Sequence, residues 1–310
     1  MIQPPYLQKG DKIAIVAPAK RMLQGELDEA IKLIEEWGFE PVLGKNIYQV
    51  YDLGYLYAGT DEQRASDFQW ALDDTEVKAI WCARGGYGCV KIIDLLNFDL
   101  FQKYPKWIIG YSDITVLHNH LNSLGYQSIH GVTAKKLQGI EYHPESYQSL
   151  YKTLIGESFN YNAEPHQYNN LGEVEGNLIG GNLSMIYSLL GSKSIVNPQD
   201  KILFIEDWFE NWYAVDRMLM NIKRNGILDQ IKGLIVGSFT HMDTEEENPE
   251  NYNHNYDPIT YKVIHEIIKK YNIPVAFNFP AGHTGHNLSL KMGGKVVLKV
   301  NPNSVNLYSI

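Results

Sequence analysis

Short apolar runs alternate with amphipathic segments along the first 125 residues, and this alternation restricts the fold more than any other feature. A β-branched run at Lys12–Ala17 ends at Pro18, and apolar residues then recur at helical spacing from Leu27 to Trp37. The apolar run Val77–Ala83 is again followed by helical spacing. Strands that alternate with helices form a mostly parallel sheet that helices cover on both faces. We therefore expect an α/β fold in the N-terminal half.

The C-terminal half mixes strand and helix patterns less regularly. Before it, residues 161–175 are polar and show little apolar periodicity, so we interpret this segment as an interdomain linker. A chain of 310 residues is long enough for two domains. The sequence thus predicts an N-terminal domain at 1–160 and a C-terminal domain at 176–310.

Composition excludes several classes of function. The formal net charge is -9 and no dense Lys/Arg cluster occurs, which argues against nucleic acid and against an anionic membrane as partners. No apolar run approaches the roughly 18 residues of a membrane span, and the first residues lack a signal-peptide pattern, so we expect a cytoplasmic protein. The two cysteines, Cys82 and Cys89, lack the spacing of a disulfide framework or a structural zinc site.

The segment around Ser112 has the pattern of a nucleophile elbow. An apolar run ends at Gly110, Ser112 follows within a tight turn, and apolar residues at helical spacing begin at Ile114. A serine on a strand–turn–helix is typical of that elbow. The elbow motif ends in glycine, however, whereas Asp113 follows the serine here. A serine that merely caps a helix is the alternative.

A serine nucleophile needs a base and a group that orients the base. Glu206 ends an apolar strand and His283 lies in a loop flanked by Gly282 and Gly285, so both can project from rigid positions. With Ser112 they supply nucleophile, base and acid, although sequence spacing does not establish that they meet.

Five motifs, in this order along the chain, support that interpretation. They are Ala83-Arg84-Gly85-Gly86-Tyr87-Gly88, Gly110-Tyr111-Ser112-Asp113, Gly180-Gly181-Asn182-Leu183-Ser184, Glu206-Asp207 and Gly282-His283-Thr284-Gly285-His286. Together they resemble the LD-carboxypeptidase family of serine peptidases, the muramoyltetrapeptide carboxypeptidases, which also includes the microcin C self-immunity peptidases. The resemblance covers nearly the whole chain.

The resemblance implies a site and a fold. It implies a triad of Ser112, His283 and Glu206, with the backbone N–H groups of Gly86 and Asp113 as the oxyanion hole. The fold would be a flavodoxin-like or class I amidotransferase-like parallel sheet followed by a smaller, mixed β-rich domain. The active site would lie at the carboxyl ends of the strands.

The resemblance also implies a substrate. The bond cleaved would join the L-centre of a diamino acid to the terminal D-alanine of a peptidoglycan-derived tetrapeptide. Arg84 is a candidate for the substrate carboxylate, because a guanidinium binds carboxylates bidentately; a salt bridge that locks its loop is the alternative. Asp207 and Trp208 are further candidates for lining the pocket. We expect no cofactor, and the resemblance implies a homodimer.

Other interpretations of the motifs remain open. The loop before Cys89 lacks the full spacing of a phosphate-binding loop. His283 and His286 lack the companions of a known metal motif, so we expect no metal there and a hydrogen-bonding role for His286. His118 and His120 lie on the predicted elbow helix and are interpreted as structural. The alternative functions are an immunity peptidase that cleaves peptidyl-nucleotides and a non-catalytic muropeptide-binding protein.

Overall fold

The computed structural model describes residues 1–135, 142–195, 197–243 and 256–310. The strands of the N-terminal half are β1 (Lys12–Val16), β2 (Glu40–Leu43), β3 (Tyr51–Asp52), β4 (Leu56–Tyr57), β5 (Val77–Cys82), β6 (Trp107–Gly110) and β7 (Ser128–His130). Its helices are α1 (Asp28–Glu36), α2 (Asp61–Asp73), α3 (Cys89–Ile92), α4 (Asp99–Lys103), α5 (Thr115–Ser123) and α6 (Pro144–Leu154). Two 3₁₀ turns, Ile93–Leu95 and Ser112–Ile114, extend α3 and precede α5.

The C-terminal half is richer in strands. These are β8 (Asn160–Ala163), β9 (Gly172–Asn182), β10 (Ile202–Trp208), β11 (Gly233–Thr240), β12 (Val275–Ala276), β13 (Leu290–Met292), β14 (Lys295–Asn301) and β15 (Ser304–Ser309). Its helices are α7 (Leu183–Ser188), α8 (Trp212–Arg224) and α9 (Pro258–Ile268). The sequence predicts a surface loop for the acidic run 243–247. Of this run, only Asp243 lies within the described residues.

The first sheet has the order β13-β7-β6-β5-β1-β2. Its strands are parallel except for β13, which pairs antiparallel with β7 at the edge. Apolar clusters cover both faces, as the sequence predicts for a buried parallel sheet. The chain order reverses at β1, which lies between β2 and β5. Such a reversal opens a crevice at the carboxyl ends of the strands, where ligands bind in folds of this kind.

The second sheet has the order β12-β11-β10-β9-β14-β15-β8. β9, β10, β11 and β12 are parallel, whereas β14, β15 and β8 continue the sheet in antiparallel pairs beyond β9. The predicted α/β fold, with a parallel first sheet and a mixed second one, is confirmed.

The segment 161–175 does not run free between the sheets. It contains most of β8 and the start of β9, both of which pair within the second sheet. β13 crosses back in the other direction, because it follows the second-sheet strands in sequence yet belongs to the first sheet. The two sheets are therefore joined by more than one crossing of the chain. Within the described residues, none of the helices has the length and apolar character that a bilayer crossing requires.

Candidate active site

Ser112 lies at a sharp turn between β6 and α5. Its φ is 64°, in the left-handed region that a residue other than glycine adopts at a cost of about 1–3 kcal/mol. Such strain is typical of a nucleophile elbow, where it lifts the serine hydroxyl out of the sheet edge. Tyr111 occupies the N-cap position of the 3₁₀ turn, and no side chain caps that turn or α5. The helix-cap interpretation of Ser112 is therefore wrong.

Two buried side chains, His118 and Asp113, stabilise the elbow through hydrogen bonds. His118 Nε2 lies 2.8 Å from the carbonyl oxygen of Gly110 and its Nδ1 lies 2.8 Å from Ser128 Oγ. Burial lowers the pKa of His118 to about 4, so the ring is neutral and can donate to the Gly110 carbonyl. Asp113 Oδ2 accepts the N–H of Cys89 at 2.8 Å, which ties the elbow to the first residue of α3. Burial raises the pKa of Asp113 to about 6.

The glycine-rich loop after β5 lies directly against the serine. A Cβ placed on Gly85 would be 2.8 Å from the Ser112 Cβ and 3.0 Å from its Oγ, so only glycine fits there without displacement. Tyr55 OH accepts the N–H of Tyr87 at 2.9 Å and supports the same loop from the other side. Gly86 lies between Gly85 and Tyr87 in this loop, so its backbone N–H stays the predicted candidate for an oxyanion donor.

The predicted base and its acid partner meet in the second half of the chain. His283 Nδ1 lies 2.6 Å from Glu206 Oε2, and the same oxygen accepts the His283 backbone N–H at 3.2 Å. Glu206 is fully buried and His283 is 4% exposed. A Cβ on Gly282 would lie 2.7 Å from Glu206 Oε2, which explains the glycine before the histidine. Since Nδ1 is engaged with the carboxylate, Nε2 remains for proton transfer.

Two aromatic rings hold the imidazole in place. Trp208 stacks on His283 with ring centroids 5.7 Å apart and an interplanar angle of 14°. The Tyr111 ring packs edge-on against His283 at 4.8 Å. Because Tyr111 directly precedes Ser112 in the chain, this contact places the serine near the histidine. No hydrogen bond joins Ser112 Oγ to His283 in the described part of the chain. Such bonds often tighten only when substrate binds.

Arg84 and Asp207 were also predicted from the sequence to contact substrate, and the structure gives each of them other contacts. Arg84 is half-buried and its Nη1 lies 3.5 Å from the carbonyl oxygen of Arg21, so its guanidinium turns toward the neighbouring loop. The Asp207 carboxylate is buried and accepts N–H groups from Asn182, Ser184 and Trp208 at 2.8–2.9 Å. Burial, with a further contribution from Glu206, raises the pKa of Asp207 well above its usual value. Its contacts fix the β9–α7 turn.

The sequence interpretation missed Tyr111, Tyr55 and His130. Tyr111 was within a quoted motif, but nothing in its spacing indicates a contact with His283. His130 is fully buried at the end of β7, 5.9 Å from the Tyr111 ring, and burial holds its pKa well below the usual value. Neither of its ring nitrogens has a hydrogen-bond partner among the residues described.

Profiles of both domains of one peptidase family match this chain. The LD-carboxypeptidase N-terminal domain matches residues 13–131 and the LD-carboxypeptidase C-terminal domain matches residues 175–298. The chain belongs to the LD-carboxypeptidase family. The resemblance found in the motifs is thereby confirmed, and membership supports a peptidase activity.

Relatives within the LD-carboxypeptidase family span almost the whole chain. The probable murein peptide carboxypeptidase of Bacillus subtilis is 34% identical, over 96% of this chain and 91% of its own. The Microcin C7 self-immunity protein MccF of Escherichia coli is 25% identical, over 97% and 94%. The crystal structure of muramoyltetrapeptide carboxypeptidase from Oxalobacter formigenes superposes with a TM-score of 0.82 at 26% identity, covering 96% of this chain and 98% of that one.

Proposed function

We propose that this protein is a serine carboxypeptidase that hydrolyses the L,D-amide bond before the terminal D-alanine of peptidoglycan-derived tetrapeptides. The observation that carries the proposal is the buried Glu206–His283 pair beside a strained serine elbow. Since a non-catalytic binding protein has no need of a strained serine and an oriented imidazole together, these features favour an enzyme. The names of the murein carboxypeptidase relatives support the substrate class.

In the acylation step, Ser112 Oγ attacks the carbonyl carbon of the scissile amide while its proton passes to His283 Nε2. Glu206 stabilises the imidazolium through Nδ1 and keeps the ring in the tautomer that accepts at Nε2. The oxyanion of the tetrahedral intermediate accepts the backbone N–H groups of Gly86 and Asp113. One such donor is worth about 100- to 1000-fold in rate.

The tetrahedral intermediate then collapses: His283 gives its proton to the leaving nitrogen, the amide C–N bond breaks and D-alanine departs. An acyl-enzyme remains on Ser112. Water then attacks this ester, with His283 as general base again, and releases the shortened peptide. All groups required for both steps belong to the chain itself, so we propose a reaction without a cofactor.

The direct test is the release of D-alanine from a purified L,D-tetrapeptide by the wild type and by Ser112→Ala. We expect release by the wild type and its loss in the variant, because the variant lacks the hydroxyl that attacks the amide. A tetrapeptide that ends in L-alanine is the control for stereochemistry. Equal release by wild type and variant would contradict the proposed nucleophile.

An immunity peptidase that cleaves peptidyl-nucleotides is the second candidate. It is favoured by the match to MccF over 97% of this chain. It would use the same triad on an L-amide. Hydrolysis of an aminoacyl sulfamoyl nucleoside by a wild type that leaves the tetrapeptide intact would select this candidate. Tight binding of the tetrapeptide without turnover of either compound would instead indicate a muropeptide-binding protein.

A further inference from the structure

Three potential metal ligands converge near the loop that carries His283. His143 and Glu145 lie at the start of α6, whereas His286 lies three residues after His283. One ligand atom from each of the three side chains lies within 4.8 Å of the others. None of these side chains takes part in the triad described above. From the sequence, His286 was expected to form hydrogen bonds without a metal, because the companions of a known metal motif are lacking.

Polar atoms of the three side chains lie close together, although His143 Nδ1 also accepts the backbone N–H of Glu145 at 3.3 Å. His286 Nε2 lies 2.9 Å from Glu145 Oε2, and His143 Nδ1 lies 4.0 Å from the same oxygen. The two imidazole rings are 4.5 Å apart between centroids. Ligands of a tetrahedral Zn²⁺ at about 2.0–2.1 Å lie roughly 3.3–3.5 Å from one another. The observed spread therefore requires a movement of roughly 1 Å, which partly exposed side chains can make by rotation.

We propose that His143, Glu145 and His286 form a binding site for a divalent transition-metal ion of the zinc class. Two imidazoles and one carboxylate are a ligand set that suits Zn²⁺, with water in the fourth position. Ca²⁺ and Mg²⁺ prefer oxygen ligands and fit this set poorly.

An imidazole binds a metal ion through the lone pair of a deprotonated ring nitrogen. On binding, the ion would replace the hydrogen bond between His286 Nε2 and Glu145, with the remaining ring proton on Nδ1.

A metal ion bound at this site would link α6 to the loop that carries His283. These segments already touch, since the N–H of His143 donates to the Gly285 carbonyl at 2.9 Å and Ser146 Oγ lies 3.1 Å from the same oxygen. A bound ion adds a bridge between residues more than 140 positions apart in the chain. It would therefore stabilise the loop that positions the catalytic imidazole without touching the imidazole itself.

The test is calorimetric titration of Zn²⁺ into full-length, tag-free protein from which metal has been removed by a chelator. We expect one Zn²⁺ per chain and binding at least about tenfold weaker in each of His143→Ala, Glu145→Gln and His286→Ala. Saturation should raise the Tm of the wild type by a few degrees, because the ion binds only the folded site. The three variants should lose this rise.

Two further variants locate the ion. His166→Ala removes a partly exposed histidine elsewhere, and His283→Ala removes the histidine of the triad; both should bind Zn²⁺ as the wild type does. Unchanged binding in the three site variants, or no binding by the wild type, would overturn the proposal. So would binding that is lost in His283→Ala but kept in His286→Ala, since the ion would then lie in the triad. Neither readout depends on the peptidase activity.

Discussion

At the scale of single residues, the candidate nucleophile Ser112 and the candidate base His283 are held in place in different ways. Ser112 adopts a strained backbone conformation at φ 64°, which the surrounding structure must hold, and His118 binds the nearby Gly110 carbonyl. His283 is held by its short contact with Glu206 and by the ring of Trp208. The hydrogen bond to Glu206 also fixes the tautomer of His283.

The buried His118 predicts a dependence of stability on pH. Its pKa in the folded protein, about 4, lies below the ordinary value of 6.5, so unfolding takes up a proton between these values. The free energy of unfolding should therefore fall as the pH decreases from about 6.5 to 4, by up to about 1.4 kcal/mol per pH unit from this group. His118→Asn should reduce that slope in urea unfolding measured across this range.

The comparison is between slopes, because His118→Asn also removes contacts and shifts the whole curve. His130 is present in both proteins and burial is the main cause of its lowered pKa, so most of its contribution is common to both slopes; the smaller effect of His118 on the His130 pKa is lost in the variant. An identical slope in wild type and variant would mean that His118 does not titrate differently in the folded and unfolded states.

At the scale of elements, Asp207 holds the turn between β9 and α7. Its carboxylate accepts three N–H groups, one of them the backbone N–H of Ser184 at 2.9 Å. Asp207→Ala leaves these donors unsatisfied and should cost about 1–3 kcal/mol of stability. The KM for the tetrapeptide should change less than about twofold. Thermal unfolding and steady-state kinetics of the same variant measure both effects.

Asp216→Ala is the matched control, since Asp216 is exposed on α8 and its loss should leave both quantities unchanged. A large rise in KM for Asp207→Ala without loss of stability would instead return Asp207 to the substrate pocket, where the sequence placed it.

The elements that the sequence predicted well carry strong local signals. The sequence Thr60–Gln63 has the S/T-x-x-E/Q pattern of a capping box, and this capping box forms and starts α2 at Asp61. β9 was missed because four glycines interrupt its apolar pattern, and two of them allow close contact with the neighbouring strand and with α5. β7 and β13 were missed because three-residue strands carry almost no periodicity.

At the scale of the whole molecule, the candidate site is assembled from both sheets. Ser112 follows β6 of the first sheet, whereas Glu206 belongs to β10 of the second and His283 follows β12. The sequence could supply these residue types, because glycine-flanked turns and strand ends are recognisable locally. The sequence alone could not show that these residues lie close together, because that depends on how the two sheets pack against each other. The contact between the Tyr111 and His283 rings joins the two halves of the chain at the candidate site.

We propose that Ser112 and His283 act as one unit, and a double-variant comparison of activity tests this. We would measure kcat/KM for tetrapeptide hydrolysis by the wild type, Ser112→Ala, His283→Ala and the double variant. Residues of one triad are strongly non-additive, so each single variant should lose on the order of 10⁴–10⁶-fold and the double variant should be no slower. Losses that multiply in the double variant, or activity that survives in Ser112→Ala, would contradict the account.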